Sequence, residues 1–358
     1  MDKILPSENL NLLLLHDETE DIPFSTWIRA CLNQNSYTVL HDLVSETAAE
    51  LNTKTVGVLK RLTSYLPCEI SLDSMRKWFK PDSKIPVVAI TSLLKLWRDE
   101  SRNTENVAII ASRIVSNLDY FCSSRYSRTV RLPHGLSKDL LYFVGVMSGD
   151  GSLPRIRKRP GKWEYPVVLE KANEPYMKNV FLPLVEKLFG IRPTLKMCEK
   201  PKRLKTWRFD IGSKPLYRYL TRIFDLPEGK KSGKLRMPEI IRSLNVKAQI
   251  PYLAGLIDTD FGSIGKTIGI TCASPLLVSD LKTMLSELGI RSVRATYLKD
   301  ERFTMHQLRV IKADVGQLVR EVMRVYEFKN PKRGRFICGG GRARSKASAA
   351  LGETQDLV

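Results

Sequence analysis

Two aspartates, each near the end of a similar apolar stretch, are the residues of this sequence best suited to chemistry. Residues 143–151 read FVGVMSGDG, residues 253–262 read LAGLIDTDFG, and both stretches have glycine in the third position and aspartate in the eighth. These aspartates, Asp150 and Asp260, lie 110 residues apart. Two carboxylates held close together repel each other, and a divalent cation relieves that repulsion. Carboxylate oxygens suit Mg²⁺, and a metal held in this way activates water for phosphodiester hydrolysis.

Helices are predicted to position these aspartates. Read as helices, residues 137–149 and 247–259 have broad apolar faces, and the glycines Gly145 and Gly255 allow another backbone to approach closely. Two such helices packed through their glycines would place both aspartates side by side. The alternative is that the aspartates only cap the helix interface, since carboxylate pairs are not always functional.

The elements after each motif follow the same order, which indicates an internal duplication. After the first motif the patterns predict a strand, a helix, two strands and a helix, at 163–169, 174–190, 192–198, 206–211 and 215–225. After the second motif they predict the same series, at 267–271, 275–289, 291–297, 304–311 and 313–328. We therefore expect two equivalent units of about 90 residues each.

Basic charge is concentrated in the half of the chain that holds the two motifs. The whole chain has a formal net charge of +20. Residues 1–128 have 15 basic and 16 acidic side chains, whereas residues 129–358 have 43 basic and 22 acidic ones. A basic surface of this size attracts a polyanion, most often nucleic acid. A solvated basic face without a partner is the alternative.

Composition argues against several classes of protein. The six cysteines are scattered without a C-x-x-C pair, which argues against a zinc site and a disulfide scaffold and favours a reducing compartment. No apolar run reaches the roughly 18 residues of a membrane span, and the four leucines at 12–15 are too few for a signal peptide. We expect a soluble, cytoplasmic protein that does not bind a membrane.

The N-terminal part of the chain has helical patterns. Apolar residues at three- and four-residue spacing predict five helices, at 36–51, 54–65, 72–79, 86–98 and 106–121. The third helix contains Arg76 and Lys77 and follows a helix and a turn, as in helix-turn-helix domains, where such a helix enters the major groove. A plain helical bundle with Trp78 and Phe79 in its core is the alternative, because motif matches of this kind occur by chance.

The two motifs resemble the motif of the LAGLIDADG homing endonucleases, and residues 253–260 match it at seven of eight letters. The resemblance covers roughly residues 136–330. It implies an α+β fold, a pseudo-twofold pair of αββαββα units with saddle-shaped antiparallel sheets that straddle the DNA major groove. The motif helices would lie at the interface of the two units. Two motifs in one chain imply a monomeric enzyme with a long, pseudo-palindromic or asymmetric target.

The resemblance also assigns roles at the motifs. In the family the eighth-position aspartates bind the catalytic metals, which carries over to Asp150 and Asp260. The residues before them, Gly149 and Thr259, are further candidate metal ligands. The expected cofactor is Mg²⁺ or Mn²⁺.

Each motif departs from the family pattern at one position. Ser148 stands in the first motif where the family usually has an acid, and Phe261 follows the second aspartate in place of glycine. A side chain as bulky as that of Phe261 could displace the backbone beside the second metal.

Basic side chains of the predicted strands and connections are the candidates for DNA contacts. They are Arg157, Lys158, Lys162, Lys171, Lys196, Lys202, Arg203, Lys205, Arg208, Lys214, Arg291, Arg294, Lys299, Arg302, Arg309 and Lys312. Family enzymes also place basic residues around the metals, and by strand position alone the candidates are Lys171, Arg208, Lys214, Arg309 and Lys312. Phosphate contacts of this kind position a protein on DNA, whereas contacts to base edges set its specificity.

The chain divides into seven predicted segments. They are an acidic, poorly ordered N-terminus (1–23), an all-α, helix-turn-helix-like domain (24–122), a linker (123–136), the first LAGLIDADG unit (137–228), a connector (229–246), the second LAGLIDADG unit (247–330) and a flexible basic tail (331–358).

Three functions are compatible with these features, and we rank them. The first is a metal-dependent, site-specific endonuclease of the homing type, whose partner is double-stranded DNA. The second is a DNA-binding transcriptional regulator that has lost cleavage, which Ser148, Phe261 and the helix-turn-helix-like domain favour. The third is a maturase that assists intron splicing on the same scaffold, with intron RNA as its partner.

Overall fold

A computed structural model of the protein describes residues 10–15, 27–100, 106–123, 128–160, 162–199, 205–231, 233–264, 267–299 and 303–325. The predicted flexible tail at 331–358 lies outside these residues, as does most of the predicted N-terminal segment at 1–23. Within that segment, Leu12–Leu15 form a short 3₁₀ helix. None of the helices in the described ranges is both long enough and apolar enough to cross a membrane.

The described residues form two compact units. Unit 1 consists of the residues up to Leu140 together with Gly151–Ala172 and Phe181–Lys230. Unit 2 consists of Leu141–Asp150, Asn173–Val180 and the residues from Lys231 onwards. Both motifs therefore belong to unit 2.

The first part of unit 1 contains five helices near the predicted positions. They are α1 (Gln34–Glu50), α2 (Thr55–Leu62), α3 (Leu72–Trp78), α4 (Val87–Glu100) and α5 (Asn106–Val115). Helix α1 begins with a capping box, in which the side chain of Asn33 accepts from the backbone N–H of Ser36 and the Ser36 hydroxyl accepts from the backbone N–H of Asn33. The helix-turn-helix interpretation of α2 and α3 stays a prediction.

Four short strands also lie in this region, where the sequence analysis predicts only helices and a linker. They are β1 (Arg29–Cys31), β2 (Lys84–Pro86), β3 (Tyr120–Cys122) and β4 (Val130–Arg131), in the antiparallel order β2-β1-β3-β4. The prediction of an all-α domain is corrected on this point. Arg29 pairs with both Pro86 and Cys122, so these strands depend on contacts distant in sequence. A strand of three residues is also too short to show a two-residue period.

The first repeat has the predicted order of elements. It consists of α6 (Lys138–Gly149), β5 (Gly151–Ser152), β6 (Ile156–Arg159), β7 (Lys162–Glu164), β8 (Pro166–Lys171), α7 (Glu174–Tyr176), a π-helical turn (Met177–Phe181), α8 (Leu182–Phe189), β9 (Leu195–Cys198), β10 (Thr206–Gly212), α9 (Lys214–Arg218) and a second π-helical turn (Tyr219–Ile223). Four strands form an antiparallel sheet in the order β5-β8-β10-β9, and β6 and β7 form a separate hairpin.

The second repeat follows a short helix, α10 (Glu239–Arg242). It consists of α11 (Val246–Thr259), β11 (Phe261–Ile264), β12 (Thr267–Cys272), α12 (Pro275–Glu287), β13 (Ser292–Lys299), β14 (Phe303–Val310), a 3₁₀ turn (Lys312–Asp314) and α13 (Val315–Val325). Its sheet has the order β11-β12-β14-β13, which matches that of the first repeat strand by strand. The predicted α+β fold with two αββαββα repeats and antiparallel sheets is confirmed. The strands β5 and β11, directly after the motifs, belong to the αββαββα order that the resemblance implies but are not predicted from the residue patterns, and the β6–β7 hairpin is additional to both.

The core of unit 2 is built on a contact between the backbones of α6 and α11. A Cβ atom on Gly145 would overlap with the carbonyl oxygen of Tyr252 and would lie 3.1 Å from the Cα of Gly255. A Cβ atom on Gly255 would overlap with the carbonyl oxygen of Tyr142. Every residue of α11 from Ala248 to Thr259 is buried. The two glycines therefore permit a helix separation that no larger residue allows.

We expect Gly255→Ala to lower the free energy of unfolding by about 2 kcal/mol, because the added methyl group must displace main-chain atoms of α6. Alanine is otherwise favoured over glycine in a helix by about 1 kcal/mol, so a loss of stability would report the steric overlap. Urea denaturation measures the effect. Gly262→Ala in β11 is the control, because no heavy atom of the described chain other than those of residues 261–263 lies within 4 Å of that Cβ position. Equal stability of the two variants would contradict the close helix contact.

Candidate functional site

The two predicted metal-binding aspartates lie at the C-terminal ends of α6 and α11. The backbone N–H of Asp150 donates to the carbonyl oxygen of Val146 at 3.0 Å, and that of Asp260 donates to Leu256 at 2.8 Å, so both helices end in the same way. Both aspartates are half-buried. The carboxyl carbon of Asp260 lies 3.4 Å from the position that a Cβ atom on Gly149 would take. The carboxylate of Asp260 therefore lies beside Gly149, the residue that precedes Asp150.

The residues at the seventh position of the two motifs, Gly149 and Thr259, are complementary in size. A Cβ atom on Gly149 would overlap with the hydroxyl of Thr259, so glycine on one helix makes room for threonine on the other. The Thr259 hydroxyl donates to the carbonyl oxygens of Gly255 and Leu256, at 2.9 and 3.0 Å. Since the hydroxyl is engaged within its own helix, the main-chain carbonyl of Thr259 is the group best suited to bind a metal.

Phe261 is accommodated without displacing the end of α11. Its side chain is 3% exposed, and it pairs with Ile270 of β12, just as Gly151 pairs with Leu169 in the first repeat. The hydrogen bond at Asp260 is as short as the one at Asp150. The two aspartates therefore have equivalent main-chain settings, and the displacement that the sequence analysis considers does not occur.

Lys231, from the connector between the repeats, lies at the C-terminal end of α6. Its Nζ atom donates to the carbonyl oxygens of Ser148 and Met147, at 2.8 and 3.3 Å, and to that of Gly149. These groups carry the partial negative charge of the helix end, which a cation offsets. Burial lowers the pKa of Lys231 to about 8, and the charges of Asp260 and Asp150 partly oppose that shift. One lysine thus acts on both carboxylates.

Sequence reasoning missed Lys231. The connector contains Lys230, Lys231 and Lys234 within five residues, and no local pattern separates one from the others. What distinguishes Lys231 is its contact with residues more than 80 positions earlier in the chain.

The chemistry of this site suits a hard divalent cation. Two carboxylates and two helix C-termini meet there, while one buried lysine supplies the positive charge. Within the described ranges, no group of three or more His, Cys, Asp or Glu side chains could hold a metal. The candidate ligands at the two helix ends are carboxylate and carbonyl oxygens, which Mg²⁺ prefers.

A tyrosine that precedes each motif was also missed. Tyr142 comes directly before the first motif and Tyr252 before the second, and both side chains are fully buried. The hydroxyl of Tyr142 donates to Asp258 of the second motif at 2.5 Å. The repeated tyrosine was a signal available in the sequence, since the two occupy equivalent positions.

The hairpin of β6 and β7 carries exposed basic side chains. Arg157, Lys158 and Lys162 are exposed on it, and Lys158 is 3.1 Å from Glu164. The guanidinium of the nearby Arg155 lies 4.3 Å from the centre of the Trp163 ring, within the range of a cation–π interaction.

In the sheet of the first repeat, the predicted contact residues lie in different settings. Arg208 and Lys196 pair across β10 and β9, on the face opposite the buried Phe209, and Arg208 is bound to Asp210 at 2.8 Å. Lys171 lies at the end of β8, opposite Trp207.

The other two candidates of this part of the chain differ sharply in exposure. Lys205 is exposed and bound to Glu199 at 2.5 Å. Lys214 is only 6% exposed, and its ammonium lies 5.5 Å from the centre of the Tyr165 ring.

In the sheet of the second repeat, Arg309 and Lys299 are exposed on the same face, opposite the buried Leu308. Arg294 pairs with Leu308 and belongs to the other face.

The remaining candidates lie outside the strands or outside the described residues. Arg291 and Lys312 are exposed next to the sheet of the second repeat, and Arg291 binds Asp314 at 2.8 Å. Arg76 and Lys77 are exposed on α3. Three candidates fall outside the described residues: Lys202, Arg203 and Arg302.

The known proteins described next are similar to this chain over about half of its length. No protein-family profile matches it. The homing endonuclease I-DmoI of Desulfurococcus mucosus is 24% identical over 182 residues, which are 51% of this chain and 86% of I-DmoI. The glutamine–fructose-6-phosphate aminotransferase (isomerizing) of Methanocaldococcus jannaschii is 27% identical over 180 residues, 49% of this chain but 15% of that protein. A solved structure of I-DmoI in complex with DNA and Mn is 21% identical and covers 52% of this chain and 96% of that one, with a TM-score of 0.41.

In buffer free of divalent metal, we expect the free energy of unfolding to rise as the pH increases from 8 to 10. The pKa of Lys231 is about 8 in the folded chain, against 10.5 for an ordinary lysine. In this range the unfolded chain binds a proton that the folded chain has released, so raising the pH favours the folded state. The contribution should be at most about 3 kcal/mol. Urea denaturation at several pH values, with a chelator present, measures it.

Lys231→Met should lack this rise, and the difference between wild type and variant removes the contribution of other titrating groups. Lys230→Met is the matched control, because Lys230 is exposed, and it should keep the wild-type pH dependence. An unchanged pH dependence in Lys231→Met would show that this lysine is not buried as described.

Proposed function

We propose that this chain, which resembles the LAGLIDADG homing endonucleases in its motifs, its fold and its sequence, is a site-specific, metal-dependent endonuclease that cuts double-stranded DNA. The observation that carries the proposal is the position of Asp150 and Asp260. They end two helices in backbone contact, and Lys231 lies near both carboxylates.

The metal would be held by the carboxylates of Asp150 and Asp260, with the main-chain carbonyl of Thr259 as a further ligand. The carbonyl of Gly149, the other candidate, also accepts from Lys231. Bound Mg²⁺ or Mn²⁺ supplies the Lewis acid that activates water and neutralises the leaving oxygen of a phosphodiester. The chain itself supplies the placement, since the glycine contact fixes the distance between the helix ends.

Lys231 would contribute positive charge beside the scissile phosphate. Its ammonium is anchored by carbonyl oxygens of the last turn of α6, so it would need no reordering when a phosphate arrives. A preorganised charge of this kind stabilises developing negative charge more effectively than solvent does.

Exposed basic side chains would bind the DNA backbone. In the first repeat these are Arg157, Lys158, Lys162, Lys196 and Lys205, and the half-buried Lys171 and Arg208 are further candidates. In the second repeat they are Arg291, Lys299, Arg309 and Lys312, whereas Arg294 lies on the other face of the sheet and is left out. We leave out Lys214, which is buried against Tyr165, and add Arg76 and Lys77 as contacts of the N-terminal region. One chain carries both motifs, so we propose that it acts as a monomer.

The relatives support the proposed substrate and cofactor. I-DmoI is described as a homing endonuclease, and its structures include complexes with DNA and Mn and with DNA and Ca. Divalent metal and duplex DNA are therefore the conditions with which to test this chain.

Incubation of the protein with a library of randomised duplex DNA and Mg²⁺ should yield cut molecules that share one sequence. On that target, Asp150→Asn and Asp260→Asn should each lower the rate of double-strand cleavage by about 100-fold or more, because each removes a charged metal ligand. The two variants should still bind the target. Sequencing of both product strands identifies the cuts. Lys230→Gln serves as a control, because Lys230 is exposed and directly precedes Lys231 in the sequence.

The same experiment distinguishes the other candidate functions. Tight, sequence-specific binding without cleavage in any divalent metal would contradict the endonuclease and favour a DNA-binding regulator. Higher affinity for structured intron RNA than for duplex DNA would favour a maturase.

Arg309→Ala should weaken DNA binding and reduce the slope of log affinity against log salt concentration by about one, because one phosphate contact is lost. Lys282→Ala is the control, since Lys282 is an exposed residue of α12, the helix that packs against the opposite face of the same sheet. Fluorescence anisotropy at several salt concentrations measures both slopes. Equal slopes would show that the Arg309 face of the sheet does not bind phosphate.

A further inference from the structure

A buried polar cluster lies on one side of the contact between α6 and α11. The hydroxyl of Tyr142 on α6 donates to Asp258 Oδ2 on α11 at 2.5 Å and lies 2.9 Å from the hydroxyl of Tyr176 on α7. None of the three side chains is exposed to solvent. A carboxyl group is costly to bury unless hydrogen bonds satisfy it. The position of Asp258 is therefore tied to that of Tyr142.

On the other side of the contact between α6 and α11, the positions equivalent to Tyr142 and Asp258 are occupied by a different pair of residues. Tyr252 corresponds to Tyr142, and Ser148 corresponds to Asp258, because each pair holds the same place relative to its motif. Ser148 and Tyr252 lie next to each other and are buried. The two hydroxyls interact with each other, but neither has the geometry of a full hydrogen bond to a described residue. The short serine side chain leaves the contact incomplete where the aspartate completes it.

The third member of the cluster also has no polar counterpart. Tyr176 follows its helix cap by three residues, and its backbone N–H donates to the Asn173 side chain. In the second repeat the same place, capped by Ser274, is occupied by the buried Leu277. Among the described residues, a buried carboxylate joined to two tyrosines is therefore found on one side of the helix pair, and a serine beside a single tyrosine on the other.

The last turns of the two helices are consequently held by different contacts. The end of α6 is held by Lys231, which donates to the carbonyl oxygens of Met147, Ser148 and Gly149. The end of α11 carries Asp258, two residues before Asp260, and is held through its side chain by Tyr142.

We propose that Asp258 is a positioning residue, which fixes the last turn of α11 and so places Asp260, while Lys231 does the same for the last turn of α6 and Asp150. The consequence for cleavage rests on the proposed function, but the positioning itself does not. The two aspartates then depend on separate contacts, although they share one site.

Hydrogen exchange of the full-length protein tests the positioning directly. In Tyr142→Phe, the amides at 257–260 should exchange about tenfold faster, the factor expected when a buried hydrogen bond to an acidic group is lost. The amides at 147–150 should change less than about twofold, since Lys231 still holds them. Lys231→Met should give the reverse pattern. Asp258→Leu should act like Tyr142→Phe, and Asp258→Asn, which retains an acceptor oxygen, should restore most of the protection.

Tyr217→Phe is the matched control. Tyr217 is also a buried tyrosine, and its hydroxyl donates to the carbonyl oxygen of Leu153 at 3.0 Å. The substitution should leave exchange at both helix ends unchanged. If Asp258→Leu does not fold, Tyr142→Phe alone decides the outcome. Equal acceleration at both helix ends in Tyr142→Phe, or none at either end, would overturn the proposal.

Cleavage supplies a second, separable readout. On a cleavable target, the cleavage rate of each DNA strand is measured in Asp150→Asn and in Asp260→Asn. The strand that is slowed more by a substitution is assigned to the substituted aspartate. Tyr142→Phe should slow the strand assigned to Asp260 by about tenfold and the other by less than about twofold. Equal slowing of both strands would overturn the positioning role. A wild-type protein that cuts no DNA, yet shows the localised exchange, would refute the proposed function alone.

Discussion

The contact between the backbones of α6 and α11 is the constraint on which the rest of unit 2 depends. It requires glycine at positions 145 and 255, because any Cβ atom there would overlap with main-chain atoms of the other helix. A contact between main chains is stiffer than one between side chains, which can change rotamer. The positions of Asp150 and Asp260 relative to each other are therefore closely fixed by the helix contact.

This close packing brings like charges together. Each helix end carries partial negative charge, and each adds an aspartate. The positive charge of Lys231 offsets part of this repulsion. Burial of this lysine would be unfavourable without the carbonyl oxygens and carboxylates around it. A divalent cation would balance what remains. The site is thus a consequence of helix packing, because the packing creates the negative field that Lys231 partly offsets.

Duplication of the repeat did not preserve full symmetry at its interface. Apart from the β6–β7 hairpin of the first repeat, the order of the strands and the sheet topology are the same in both repeats, and both helices end with the same hydrogen bond. Inside the interface, by contrast, one tyrosine meets an aspartate and the other lies beside a serine. Two helix ends with the same main-chain hydrogen bond can therefore be held by different side chains.

The sequence by itself determined the features that repeat or follow a local period: the two motifs with their glycines and aspartates, the order of helices and strands, and the basic charge of the second half. Phe261 shows the limit of such reasoning, because only the tertiary structure reveals the buried space that accepts its ring. The tertiary structure alone decided the role of Lys231, which meets Ser148 across 83 positions, and the pairing of Tyr142 with Asp258 across 116. It also decided the sheet of β1 to β4, whose strands are too short to show a period. The physical reason is common to these cases: each contact joins segments far apart in the chain, so no local pattern of residues encodes it.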